Sequence, residues 1–478
     1  MFSYDDIDQI KSHGLKIEEI NHQIEMFKTG FPYVDIVKPA SDNDGIMLID
    51  DANCQQYINV YDAYAQNHKI VKFVPASGAA TRMFKDLFDF LNSHVPNRIS
   101  VTARNNIEKF AFWDDLKECL PCNASDFNIV ECIITDTGLN YGNLPKGLIA
   151  FHKYSDCTRT PVEEHLCEGA LYARSGDTVN IHFTISPEHR NAFETLLNHV
   201  IPKYAEKYGV KYNVSLSEQK PSTDTIAVNM DNTPFRNEDR TLLFRPAGHG
   251  ALIENLNDID ADLIFIKNID NVAIQRMQND TVKYKRVLAG VLVDTQQKIF
   301  DLIRKIDSNT ADVSEIHKFV ITNIGMKLDT VLSMEQYREI LNRPIRVCGM
   351  VRNTGAPGGG PFWVKNSDGT IDLQIVEQSQ IAPESMDIMN TATYFNPVDV
   401  VCGVKDYKGD KFDLTKYIDE NTGFISEKSK NGLPLRAMER PGLWNGAMAK
   451  WNTIFVAVPG TTFNPVKTVV DLLNPAHQ

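Results

Sequence analysis

A chain of 478 residues with 62 acidic and 49 basic side chains has a formal charge of −13. That balance repels a nucleic-acid backbone over the whole surface, so a dedicated nucleic-acid binder is excluded and any phosphate site has to be local. Hydrophobic residues make up 42% and charged residues 23%, the composition of a globular chain, and the length exceeds what one core usually covers. The longest apolar runs, such as Val287–Val293 and Ile454–Val458, fall far short of the roughly 20 residues of a membrane span. The start of the chain is acidic and lacks a signal-peptide core, so no membrane partner and a cytoplasmic location are expected. Eight cysteines over this length make no disulfide framework, and the CxxC pair Cys119 and Cys122 has no second pair at zinc-ribbon distance.

Taken in chain order, Ile7, Ile10, Ile17, Ile20, Ile24 and Phe27 recur mostly at three- and four-residue steps, which predicts an N-terminal helical cap over 1–65 with a break at Gly30 to Pro32. From there β-rich runs alternate with helical patterns: Ile70–Val74 precedes Met83–Leu91, and Val179–Ile185 precedes Ala192–Val200. This alternation predicts an α/β domain with a largely parallel sheet over 66–400. Within it, Phe110, Phe112, Trp113, Leu116 and Leu120 make the stretch of about 86–140 too apolar for a loop; an inserted helical element is expected there. Leu148–Phe151 reads as a strand and Val287–Ile306 as a helix. The segment 401–478 reads as a small α+β region ending on a helix, with Asn464 as N-cap and Pro465 in the first turn.

The first β-rich run opens into Pro75, Ala76, Ser77, Gly78, Ala79, Ala80, Thr81 and Arg82. Small residues at a strand-to-helix turn let backbone N–H groups approach a phosphate, and Arg82 adds a full positive charge. Pro145 and Lys146 place a lysine beside a proline of fixed φ. In Gly248-His249-Gly250, glycines on either side of a histidine permit close backbone approach to a base or ribose. The run Asp262–Lys267 reads as a buried strand ending in Asn268, Ile269, Asp270 and Asn271. A carboxylate there sits at the rim where α/β sheets bind ligands, so Asp270 reads either as a magnesium ligand or as the closure of an Asx turn.

This ordered set resembles the UDP-sugar pyrophosphorylases, the eukaryotic-type uridylyltransferase group of the nucleotide-diphospho-sugar transferase fold. The similarity covers roughly 70–400 and rests on motif order. The family's glycine-rich loop with Thr-Arg looks like Gly78, Thr81 and Arg82, its Pro-Lys-Gly like Pro145, Lys146 and Gly147, and its Gly-x-Gly like Gly248 to Gly250. Its glutamine ahead of a proline looks like Gln219 before Pro221. Its Asn-x-Asp-Asn strand end looks like Asn268, Asp270 and Asn271, its Val-Glu-x-Ser like Val376 to Ser379, and its late Asn-Gly with a following lysine like Asn445, Gly446 and Lys450. Ala80 stands where the family has a second glycine, and a long stretch separates Arg82 from Pro145.

The resemblance implies a Rossmann-like, mixed but mostly parallel sheet flanked by helices. It also implies an enzyme joining a nucleoside triphosphate, UTP favoured, to a sugar 1-phosphate with magnesium as cofactor and pyrophosphate as product. Arg82 and Lys146 would serve the triphosphate. Ser77, Gly78, Ala79, Thr81, Gln219, Gly248, His249 and Gly250 would bind the nucleotide, and Asn268, Glu377, Asn445 and Lys450 the sugar, with Asp270 on the metal. Two other readings stand beside this one: a nucleotide-sugar binding protein without turnover, and a glycosyltransferase using the alternating Asp258, Asp260 and Asp262. The glycine-rich stretch 355–360 reads as a lid or a surface loop. Oligomeric state has no signature in the sequence.

Overall fold

The computed structural model describes residues 2–355 and 358–478. It divides into two compact units that are discontinuous in sequence and follow other boundaries than 1–65, 66–400 and 401–478. Unit I comprises Met1–Val60, Gln219–Leu263 and Leu288–Ala457; unit II comprises Tyr61–Glu218, Ile264–Val287 and Val458–Gln478.

In unit II, strand Ile70–Pro75 lies between Leu263–Lys267 and Thr178–Ile185. It runs parallel to the latter, with Val71 opposite Asn180 and Pro75 opposite Thr184, and Thr178–Ile185 in turn runs parallel to Lys211–Glu218. The first two strands are buried almost without interruption, as expected for sheet strands covered on both faces. Helix Pro161–Tyr172 begins at a capping box in which Thr160 and Glu163 satisfy each other's backbone N–H groups, and a first-turn proline sets φ. The insertion folds as expected into helices Lys85–Ser93, Arg98–Asn105, Trp113–Cys119 and Asp126–Ile134 around Phe84, Leu87, Phe110, Phe112 and Leu116.

Unit I holds a sheet in which Asn452–Ala457 runs parallel to both Gly45–Met47 and Ile345–Arg352, and the latter pairs antiparallel with Tyr394–Gly403. A second, antiparallel sheet has the order Ile36–Pro39, Gly360–Lys365, Ile371–Val376, Met326–Lys327. Among the described residues no helix is long and apolar enough to cross a membrane.

Three local expectations are corrected. The N-terminal region is helical only over Tyr4–Ser12, Ile17–Thr29 and Asp51–Ala65; Gly30, at φ +76°, ends the second helix within the break read at Gly30 to Pro32, but beyond it short strands, not helix, pair with Gly360–Lys365 and Asn452–Ala457. The run 148–151 is no strand: Lys146–Leu148 is a 3-10 turn, and pairing begins only at His152–Lys153. No α-helix follows Asn464, whose N–H donates to Asn271 Oδ1 while Pro465 bridges Asn271 in extended pairing. The helical tendency is spent in two 3-10 turns, Val469–Leu473 and Pro475–His477, because Pro475 stops propagation. In the glycine-rich stretch 355–360, Ala356 and Pro357 lie outside the described residues, and Gly360 already opens a strand.

Candidate functional site

The phosphate-loop candidates converge in unit II at the ends of the parallel strands. Ala76 N–H donates to Thr184 O at 2.8 Å, Ala80 N–H to Leu144 O at 3.2 Å and Lys146 N–H to Gly78 O at 3.2 Å, so the loop is laced to the Pro-Lys segment. Ile269 N–H reaches Pro75 O at 3.4 Å, which brings in the end of the third strand. There Lys146 Nζ donates to Asp270 Oδ2 at 2.7 Å and to Val466 O at 2.6 Å. The two side chains are 12% and 19% exposed, sheltered enough that their attraction exceeds that of a surface pair while a ligand can still reach them. Ser77, Gly78, Ala79, Thr81 and Arg82 are exposed. A Cβ built on Gly78 would meet nothing within 4 Å, and its φ is not positive, so neither packing nor backbone strain requires glycine there.

Beneath this rim lies a charge network that sequence reasoning missed. Lys72 Nζ and Lys267 Nζ grip the two oxygens of Glu168 at 2.9 and 2.8 Å, all three side chains buried. Burial works against the charge of Glu168, but Lys267 and Lys72 outweigh it and hold the carboxyl well below its ordinary value. From the same helix His165 Nε2 lies 3.2 Å from Ile269 O, one residue before Asp270. The legible signal was a lysine inside each of two strands buried on both faces, which demands a carboxylate partner. The segment around Val466 was missed as well: Val466 N–H donates to Asp270 O at 3.1 Å, and the next residue, Lys467, adds a cation to this stretch.

The remaining candidates, apart from Asn268 beside Asp270, fall in unit I. Gly248 has φ +73°, and a Cβ would stand 2.3 Å from Glu439 Oε2 there and 2.1 Å from Pro441 O at Gly250, so both glycines have structural reasons of their own. His249 stacks on Trp444 with centroids 4.2 Å apart, and its Nδ1 accepts from Leu443 N–H at 3.0 Å. Burial lowers its pKa against the opposing pull of Glu377, and with Nδ1 accepting, Nε2 is the ring's donor. Asn445 is buried near the His249 loop, and its Oδ1 has no partner among the described residues. Gln219 Nε2 donates to Asp224 Oδ1 at 3.2 Å. Lys450 does not join Glu377; it lines a separate cavity with Asp372 and Gln374. Asp260 and Asp262 are both paired with Lys405 at 3.0 Å, and Asp258 with Lys220 at 2.7 Å, which assigns the alternating carboxylates to surface ion pairs.

These features define an α/β protein of the nucleotide-sugar pyrophosphorylase type of fold. The structure is similar to uridine diphosphate N-acetylglucosamine pyrophosphorylase from Trypanosoma brucei, with a TM-score of 0.51 and 11% identity over 95% of this chain and 74% of the other. A UDP-glucose pyrophosphorylase from Leishmania major matches with a TM-score of 0.46 and 13% identity over 98% and 77%. The chain belongs to the family described as domain of unknown function DUF4301, whose model matches residues 3–478. A search of the curated proteins finds no match to the sequence.

Proposed function

We propose that the protein is a sugar-1-phosphate nucleotidyltransferase, with UTP the favoured nucleotide. The reading is carried by the convergence of the small-residue loop, Lys146 and Asp270 at the carboxyl ends of parallel strands, where α/β sheets bind phosphorylated ligands. A phosphate oxygen of the sugar 1-phosphate attacks the α-phosphorus of the triphosphate in line, and the bond to the departing pyrophosphate breaks. Several anions must meet, so catalysis is positioning and neutralisation rather than acid-base work. The loop N–H groups and Arg82 receive the triphosphate. Lys146 moves from Asp270 to a phosphate oxygen, and Lys467 on the adjoining segment adds positive charge. Within unit I, by resemblance alone, His249, Gly248, Gly250 and Gln219 are the candidates for the base, and Glu377 and Asn445 those for sugar hydroxyls.

Magnesium fits Asp270 in one respect: a single, partly exposed carboxylate is what this ion takes when substrate phosphates and water complete its shell. Among the described residues no group of three histidine, cysteine or carboxylate side chains forms a dedicated cage. When bound, the ion supplies Lewis-acid polarisation and a template for the phosphates. The test is pyrophosphate release from each nucleoside triphosphate with a panel of sugar 1-phosphates. Release with one pair, reduced about 100-fold or more in Asp270→Ala, supports the reading. Nucleotide-sugar binding without release from any pair sinks it in favour of a binding protein.

A further inference from the structure

Unit I contains a cavity of about 710 Å³, within the range of small-molecule sites, on the sheet that carries Glu377 at a strand end. The register of that sheet pairs Asp372 with Val364, Gln374 with Phe362 and Val376 with Gly360, so these residues share one face and the odd-numbered residues the other. Asp372, Gln374 and Val376 line the cavity, joined by Ile375 from the intervening position and by Gly446 and Lys450. Glu377 falls on the opposite face: a Cβ at Gly359 would stand 3.2 Å from Ile375 Cγ2 and 3.3 Å from Glu377 Cγ. Neither Glu377 nor the stacked pair of His249 and Trp444 is among the described residues that line the cavity.

Its floor is built from sheltered polar groups. Gln374, 7% exposed, donates through Nε2 to Asp372 Oδ1 at 2.9 Å and to Ala449 O at 3.0 Å. The Asp372 carboxyl also takes a hydrogen bond from Asn366 and lies within reach of the Arg343 and Arg346 charges, yet burial outweighs them and raises its pKa to about 6. Behind it the wholly buried Arg346 bonds Thr453 Oγ1 and Trp444 O, and its Nη2 has no partner among the described residues. The lining as a whole mixes five carboxylates and three cations with amides and hydroxyls, and Tyr33, 58% exposed, stands at the rim.

We infer that this cavity binds an uncharged polyhydroxylated ligand, a saccharide, at a site separate from the proposed transfer centre. Cations in the lining oppose an amine, and the surplus of carboxylates opposes a phosphorylated ligand. A sugar hydroxyl is both donor and acceptor, so it can satisfy carboxylate, amide and guanidinium side by side. An aromatic ring at the rim offers an apolar face for the ring carbons.

The experiment is saturation-transfer NMR and calorimetry on the full chain, using glucose, N-acetylglucosamine and maltose, their 1-phosphates, and putrescine as an amine control, with and without UDP-glucose. Binding is read directly, so failure here is distinct from failure of the transfer reading, which is scored by pyrophosphate release. Saturable binding of a neutral sugar that persists under UDP-glucose is expected. It should weaken about tenfold in Asp372→Asn, which keeps the shape and the acceptor for Gln374, and by a smaller factor in the exposed Tyr33→Ala. The inference is overturned if no neutral sugar binds in the millimolar range, if only the 1-phosphates or the amine bind, if UDP-glucose displaces the sugar, or if both folded variants bind as the parent does.

Discussion

Lys146 spends its ammonium on Asp270 and on the Val466 carbonyl, so three segments distant in sequence depend on one side chain. Lys146→Ala removes the cation and frees Asp270 from its partner; on the transferase reading proposed above, pyrophosphate release should fall about 100-fold or more, measured with saturating substrates. Asp372 offers a second prediction at the same scale. Its carboxyl is raised from the ordinary value of 3.8 to about 6, chiefly by burial, so between those values the folded state holds more protons than the unfolded one. Stability therefore declines as pH rises from about 4 to about 6 and is level above that, the sign expected for a carboxylate that the fold prefers neutral. Asp372→Asn should lose that slope and gain about 1–2 kcal/mol at pH 7, a value reduced for partial exposure, as read by urea denaturation across pH. A variant with the parental slope would show that Asp372 is solvated.

At the scale of elements, the strand lysines carry the argument. Lys72 in Ile70–Pro75 and Lys267 in Leu263–Lys267 are buried and share one carboxylate from helix Pro161–Tyr172. Glu168→Gln leaves Lys267 without its carboxylate, while Lys72, whose pKa burial already lowers to about 7, loses the partner that holds its proton; the change should cost about 3–5 kcal/mol in unfolding free energy. A loss below about 1 kcal/mol would mean that Lys267 too is neutral or reaches water. At the Gly248-His249-Gly250 loop, a Cβ on Gly250 would press on the Pro441 and Arg440 carbonyls, which are backbone and cannot swing aside. Gly250→Ala should lower the melting temperature by several degrees, corresponding to about 1–3 kcal/mol. Strands and helices with strong periodicity were legible in advance, among them Thr178–Ile185, Arg190–Tyr208 and the inserted helices. The short strands at Ile36–Pro39 and Gly45–Met47 were not, because their stability comes from partners more than 300 residues away.

For the whole molecule, the chain passes between the two units five times, so each unit is built of three segments, the last being Leu288–Ala457 in one and Val458–Gln478 in the other. Protection from hydrogen exchange should follow burial within each unit. The amides of Ile70–Pro75 and Thr178–Ile185 should exchange slowest, and those of the half-exposed hairpin Phe424–Lys430 with Leu433–Glu439 should exchange much sooner, as read by mass spectrometry. Local chemistry was enough to read the α/β class, the inserted helices, the loop at Ser77 to Arg82 and the carboxylate at Asp270, since periodicity and turn composition are properties of neighbouring residues. Contacts between distant residues carry no such trace. Folding alone joined Lys146 to Asp270 and Val466, set Glu168 between two strand lysines, placed Lys450 in the lining of a cavity that Glu377 does not line, and opened that polar cavity at Asp372. Those outcomes depend on strand register and on which buried charge finds a partner, and both are decided by packing across the chain.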